Sequence, residues 1–162
     1  MRIFLLRHGI AEDGRPGRPD SERALTAEGR ARLRLVLDRA RRSGVSPTLI
    51  LTSPYRRAIE TAETAAEVFG YKGDIVRSAA FVPEASPADA WEELRLYAEE
   101  HSVLVASHEP LMSSTVAYLL GSPTLEVEMK KGALVRIDIE RNTAVPRGIL
   151  KWMLTPGICG DG

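Results

Sequence analysis

Three short apolar runs, at residues 3–6, 49–51 and 103–106, alternate with longer stretches of helical periodicity. This alternation most narrows the folds open to the chain. Runs of three or four apolar residues are too short for buried helices but suit strands covered on both faces. Strands separated by amphipathic helices predict an α/β fold, a three-layer α/β/α sandwich around a mostly parallel central sheet. The length of 162 residues fits a single domain over 1–162 that buries enough apolar surface to fold without metals or disulfides.

The helical stretches have recognisable faces and ends. From Thr26 onward, Leu33, Val36, Leu37 and Ala40 share one face and Gly44 supplies a stop. Ser53 reads as a helix cap with Pro54 at the first helical position, before Ile59, Ala62, Ala66 and Phe69. Ser86-Pro87 repeats that start ahead of Trp91, Leu94 and Ala98. After Pro110, Leu111, Val116, Leu119 and Leu120 predict a further helix ending at Gly121. Residues 134–139 and 149–154 read as a late strand pair, with Arg141-Asn142-Thr143 as a turn between them. Residues 12–22, which hold Gly14, Pro16, Gly17 and Pro19, predict an exposed loop after the first strand.

Composition removes several classes of function. Lys plus Arg and Asp plus Glu number 22 each, so no overall field draws the chain to nucleic acid or to a membrane surface. No stretch reaches transmembrane length, and the apolar run before Arg7 is too short for a signal peptide. Cys159 is the only cysteine, which suits a reducing cytoplasm. His8 and His108 lack His or Cys partners at ligand spacing, so no metal is expected. The absence of GxxxxGK[ST] and GxGxxG runs leaves nucleotide cofactors without an anchor, and no cofactor is predicted. The arginines at 30, 32, 34, 39, 41 and 42 read as a solvated helix face.

In open parallel sheets ligands bind beyond the carboxyl ends of the strands. Three polar clusters fall there: Arg7-His8, residues 53–57, and Ser107-His108. Two histidines and two arginines at one rim point to phosphoryl chemistry. The guanidinium forks of Arg7 and Arg57 can each hold two phosphate oxygens and keep their charge at working pH. A neutral imidazole is a competent nucleophile toward phosphorus, and flanking arginines keep it unprotonated. His8 fills that role, with His108 donating to phosphoryl oxygens as charge spreads over them. His101, at the end of a predicted helix, reads as an ordinary surface or structural residue.

Arg7-His8-Gly9 after an N-terminal strand resembles the signature of the histidine phosphatase (phosphoglycerate mutase-like) superfamily. Ser53-Pro54-Tyr55-Arg56-Arg57-Ala58, continuing to Thr61-Ala62, resembles its second motif, in which the arginine before alanine binds phosphate. That residue is Arg57 rather than Arg56. Val105-Ala106-Ser107-His108 resembles the segment of the second histidine. Within the superfamily the chain is most similar to the SixA-type phosphohistidine phosphatases. Arg23-Ala24-Leu25-Thr26 looks like that group's Arg-Pro-Leu-Thr, with alanine for proline. Ser107-His108-Glu109-Pro110-Leu111 and Trp152-Met153-Leu154-Thr155-Pro156 also resemble it.

The resemblance implies a covalent phospho-His8 intermediate that water hydrolyses, with Arg7, Arg23, Arg57 and His108 around the phosphoryl group. It puts Glu84 where the family's general acid falls, with Asp20 as the other candidate. Residues 74–85 are too few for a helical cap, so an open site for a phosphohistidine protein of a phosphorelay or phosphotransfer system is expected. Three other readings keep part of these features. One is a small-molecule phosphomonoesterase, another a mutase, which needs more enclosure, and the third a non-catalytic phosphate-binding module.

Overall fold

A computed structural model describes residues 1–140 and 142–160. Its centre is a six-stranded sheet in the order β3-β2-β4-β1-β5-β6. The strands are β1 (Arg2–Arg7), β2 (Leu49–Thr52), β3 (Ile75–Arg77), β4 (Ser102–Ser107), β5 (Leu134–Ile139) and β6 (Gly148–Leu154). Strands β1 to β4 pair in parallel, whereas β5 runs antiparallel to both β1 and β6. The helices are α1 (Ala27–Arg42), α2 (Arg56–Phe69), α3 (Pro87–Arg95), α4 (Leu111–Leu119) and α5 (Pro156–Gly160).

Period-two alternation along the strands creates the three layers. Ile3 and Leu5 of β1, with Val103 and Val105 of β4, point into a core with Trp91 and Leu94 of α3 and Met112 and Val116 of α4. Phe4, Leu6, Leu104 and Ala106 point the other way, onto Leu33, Val36 and Leu37 of α1 and Ala62 and Ala65 of α2. The strands are therefore buried on both faces, as their uninterrupted apolar composition requires.

Several expected elements and faces are altered. Ser53 does not cap α2: the helix starts at Arg56 with Tyr55 as its N-cap. Ser53 is instead fully buried at the end of β2, so its hydroxyl is turned into the protein. The inward stripe of α2 runs through Ala58, Thr61, Ala62 and Ala65, leaving Ile59, Ala66 and Phe69 half-buried at its sides. These small residues let α2 approach the sheet closely. Strand β3, three residues long, is too short to have left a periodic signal. Helix α3 stops before Ala98, while its Ser86–Asp89 capping box supports the predicted start.

The arginine face of α1 is only partly solvated, because Arg30 bonds Glu60 and Thr64, and Arg34 bonds Glu67, all on α2. In the expected turn after β5, Arg141 lies outside the described residues. Its neighbour Asn142 accepts from Arg95. The segment of residues 12–22 is largely exposed but tied at its base by an Ala11–Leu25 bridge, and it contains a 3-10 turn, Asp20–Glu22. Only residues 78–86 join β3 to α3, holding the 3-10 turn Ala79–Phe81, so no helical cap is inserted there. No helix among the described residues is long and apolar enough to cross a membrane.

Candidate active site

Sheet register brings the three polar clusters level. Arg7 pairs with Ser107 and Thr52 with Ala106, so His8, His108 and Ser53 leave adjacent strands at one rim. The main chain continues the pairing past the strands, with His8 N–H donating to the Ser107 carbonyl (2.9 Å) and Ser53 N–H to that of Ala106 (3.0 Å). Because β4 lies between β2 and β1, His108 sits between Ser53 and His8. This rim is also where the order of strands reverses, the crevice where open α/β sheets bind ligands.

The turn after β1 is held by close packing. A Cβ at Gly29, in the first turn of α1, would stand 2.1 Å from the Ile10 carbonyl oxygen. One at Gly9 would meet the Gly29 carbonyl oxygen at 3.0 Å. Two glycines thus let the helix and the turn bearing His8 touch backbone to backbone. Thr61 Oγ1 accepts from Gly9 N–H (3.3 Å) while donating to the Arg57 carbonyl (2.7 Å), linking this turn to α2. Behind it, Gly132 N–H donates to the carbonyls of both Arg7 and His8.

Hydrogen bonds specify the tautomer of His8. Its Nδ1 lies 2.7 Å from the Gly9 carbonyl oxygen, which can only accept, so Nδ1 carries the hydrogen. Its Nε2 receives a bond from Arg57 Nε at 3.3 Å, and a guanidinium can only donate, so Nε2 bears the lone pair. The residue is 6% exposed. Burial lowers its pKa most; the Gly9 carbonyl opposes this, and Arg57, Arg7 and Lys131 add to the lowering, leaving it at about 4. Lys131, in the turn before Gly132, is a contributor that no sequence motif marked.

His108 is 1% exposed, with its ring centre 5.2 Å from that of His8. Its Nε2 meets Ser53 Oγ at 2.8 Å, and Ser53 Oγ also accepts from Tyr55 N–H at 3.2 Å. Burial, then the proximity of His8 and Arg57, pulls its pKa down to about 3. Tyr55 completes this side, its ring 5.1 Å from the His108 ring and 5.1 Å from the Arg57 guanidinium carbon. Residues 53–57 form one of the polar clusters at the rim, but nothing in the sequence marks Ser53 or Tyr55 as a partner of His108.

Arg57, 4% exposed, is the second residue of α2 and also binds the Asp20 carboxylate and carbonyl. Arg7 donates from Nη1 to the Met129 carbonyl at 2.8 Å. Two buried polar atoms flank His8 without a partner among the described residues, Arg7 Nε and His108 Nδ1. Arg23 reaches the same cluster through Asp20, at 2.8 Å. Glu84 is exposed in the turn after Ala79–Phe81. Burial, followed by the carboxylates of Glu84 and Asp20, raises the Tyr55 hydroxyl above its ordinary pKa. His101 is exposed just before β4, remote from the site in the sense that it sits at the opposite end of that strand.

Known proteins are similar to this chain over most of its length. A family model for the histidine phosphatase superfamily (branch 1) matches residues 3–80. The chain is 30% identical over 137 residues to an uncharacterized protein of Picosynechococcus sp., covering 83% of each. It is 27% identical to the phosphohistidine phosphatase SixA of Escherichia coli (strain K12), over 96% of this chain and 94% of that one. The solved structure of the protein histidine phosphatase SixA complexed with tungstate superposes with a TM-score of 0.86 at 26% identity, covering 97% of this chain and 98% of the other. The chain belongs to the histidine phosphatase superfamily and is a SixA-like member of it.

Proposed function

We propose that this phosphatase removes phosphate from phosphohistidine on a phosphorelay or phosphotransfer protein in the cytoplasm, through a covalent intermediate on His8 and without a metal. The observation that carries the reading is the unprotonated Nε2 of His8, with Arg57, His108 and Arg7 around it. In the first step Nε2 attacks phosphorus, the N–P bond to the substrate imidazole breaks, and its electron pair stays on the departing ring. In the second, water adds to phosphorus and the bond to Nε2 breaks, releasing inorganic phosphate and restoring neutral His8. Arg7, Arg23, Arg57 and His108 hold the oxygens, where fixed donors stabilise the charge spread over the transferring group.

Glu84 is the carboxyl assigned to the leaving-group side, on its place in the family's pattern. The demand on it is small, because a protonated imidazole leaves readily. A protein substrate fits the mouth. Next to the site lies a depression lined by Arg18, Arg56 and Arg77 together with Glu22, Glu60 and Glu63, open and of mixed charge. Such a surface offers no cage for a small anion but many pairing sites for a polar protein face. The single cysteine fits a reducing compartment.

His8→Ala is expected to abolish phosphate release, while the trapped wild-type enzyme carries acid-labile, base-stable phosphate. Normal turnover by His8→Ala would sink the mechanism. Turnover of a phosphohistidine protein, set against a panel of sugar and nucleotide phosphates, tests the substrate class. Higher kcat/KM on the panel would favour a small-molecule phosphomonoesterase.

A further inference from the structure

We infer that Asp20 is a positioning residue that locks Arg23 and Arg57 into one pair of phosphate-holding guanidinium groups. The inference deepens the reading above and rests on those two arginines holding phosphoryl oxygens. Asp20 opens the 3-10 turn Asp20–Glu22 on the segment between β1 and α1, whereas Arg57 belongs to α2. Its carboxylate is divided between two cations. Oδ1 accepts from Arg23 Nε at 2.8 Å and Oδ2 accepts from Arg57 Nη2 at 3.0 Å. Its main-chain carbonyl accepts from Arg57 Nη1 at 2.9 Å. With Nε on His8, three N–H groups of Arg57 are engaged, and two of a guanidinium's five remain for a ligand.

The segment carrying this carboxylate is itself anchored. Glu12 N–H bonds the Ala24 carbonyl, Arg18 bridges Glu12 and the Glu22 carbonyl, and Arg23 Nη1 donates to the Glu12 carbonyl at 2.9 Å. Asp20 is thus presented to both arginines by a built turn. Two guanidinium groups sharing one small site repel each other, and a carboxylate between them offsets that repulsion while fixing both planes. The same contacts argue against an acid role. Burial raises the carboxyl's pKa, but bonds from Arg23 and Arg57 outweigh it and leave Asp20 below the usual carboxylate range, with no proton to give near neutrality.

The test uses a series of aryl phosphates with leaving groups of different basicity, and vanadate as a phosphate analogue. The proteins are wild type, Asp20→Asn, Asp20→Ala, Arg23→Ala and the double variant Asp20→Ala/Arg23→Ala. Both Asp20 variants are expected to lower kcat/KM by about 10- to 100-fold, the scale of a misplaced binding group. The factor should be the same for every leaving group, and vanadate inhibition should weaken in parallel. The double variant should lose less than the two single losses combined, because Asp20 and Arg23 share one contact, while the loss of the Arg57 contact remains.

Three results would overturn the inference. A loss growing with leaving-group basicity makes Asp20 the acid. Tighter vanadate inhibition in Asp20→Ala makes it a competitor for the phosphate position. Full additivity in the double variant removes the link to Arg23. Asp20→Asn, nearly isosteric on an exposed turn, keeps the test independent of folding. Direct vanadate binding reads out Asp20 even if the turnover proposed for His8 fails.

Discussion

At His8, burial and hydrogen bonding hold one ring nitrogen unprotonated. The Gly9 carbonyl holds the hydrogen on Nδ1, and burial beside Arg57 and Arg7 keeps Nε2 from binding a second one. A carbonyl alone would favour the protonated ring; burial is the larger effect, so neutral imidazole wins. His108, pulled down further by the same burial and by His8 itself, stays neutral as well. Titration of the imidazoles by NMR is therefore expected to show two rings changing protonation near pH 4 and pH 3, as a coupled pair, and no site histidine near 6.5. A site histidine titrating near 6.5 would contradict the burial argument.

The contact between α1 and the turn after β1 is the element-scale feature on which the site depends. Thr26 caps α1 by accepting from Gly29 N–H, and Thr26 N–H bonds the Ile10 carbonyl, so the helix begins where the turn bearing His8 ends. Gly29→Ala places a methyl group 2.1 Å from the Ile10 carbonyl oxygen, a backbone atom that cannot swing aside. Overpacking of this kind costs about 1–3 kcal/mol or more. Urea unfolding of Gly29→Ala is expected to show a loss of at least that size, with reduced activity as His8 is displaced. Gly14→Ala, where nothing lies within 4 Å, is the control and should leave stability unchanged.

For the whole molecule, two buried neutral histidines carry a consequence for acid stability. The unfolded chain takes up protons on these residues below pH 6.5, while the folded rings refuse them until about pH 4 and pH 3. The unfolded state thus binds more protons throughout that window, and stability falls as pH drops through it. Asp20 and Asp138, held low against burial by bonds from arginines, act in the same sense but at lower pH. Their contributions are kept until pH falls below the ordinary carboxylate range. The decline between pH 6.5 and pH 4.5 therefore belongs to the histidines. Replacing His8 and His108 together by Asn is expected to flatten the change in urea midpoint across this interval. An unchanged slope would assign the acid lability elsewhere.

The sandwich and the candidate site residues were legible in the chain alone. Uninterrupted apolar runs at residues 3–6, 49–51 and 103–106 can only be strands buried on both faces, and a polar cluster directly after each must emerge at a common rim. Trp91, Leu94 and the stripe from Leu33 to Ala40 were legible because helical period survives in a single chain segment. Local pattern could not disclose what depends on meetings between distant segments. Ser53 read as a cap and proved to be the partner of His108, since the position of Pro54 and Tyr55 in space, not their order, decides where α2 begins. Arg30 and Arg34 read as solvated until α2 was laid beside α1. Above all, the tautomer of His8 and the carboxylate of Asp20 between two arginines exist only in the folded chain. Burial and hydrogen-bond direction are properties of packing, and packing brings together residues that the sequence lists far apart.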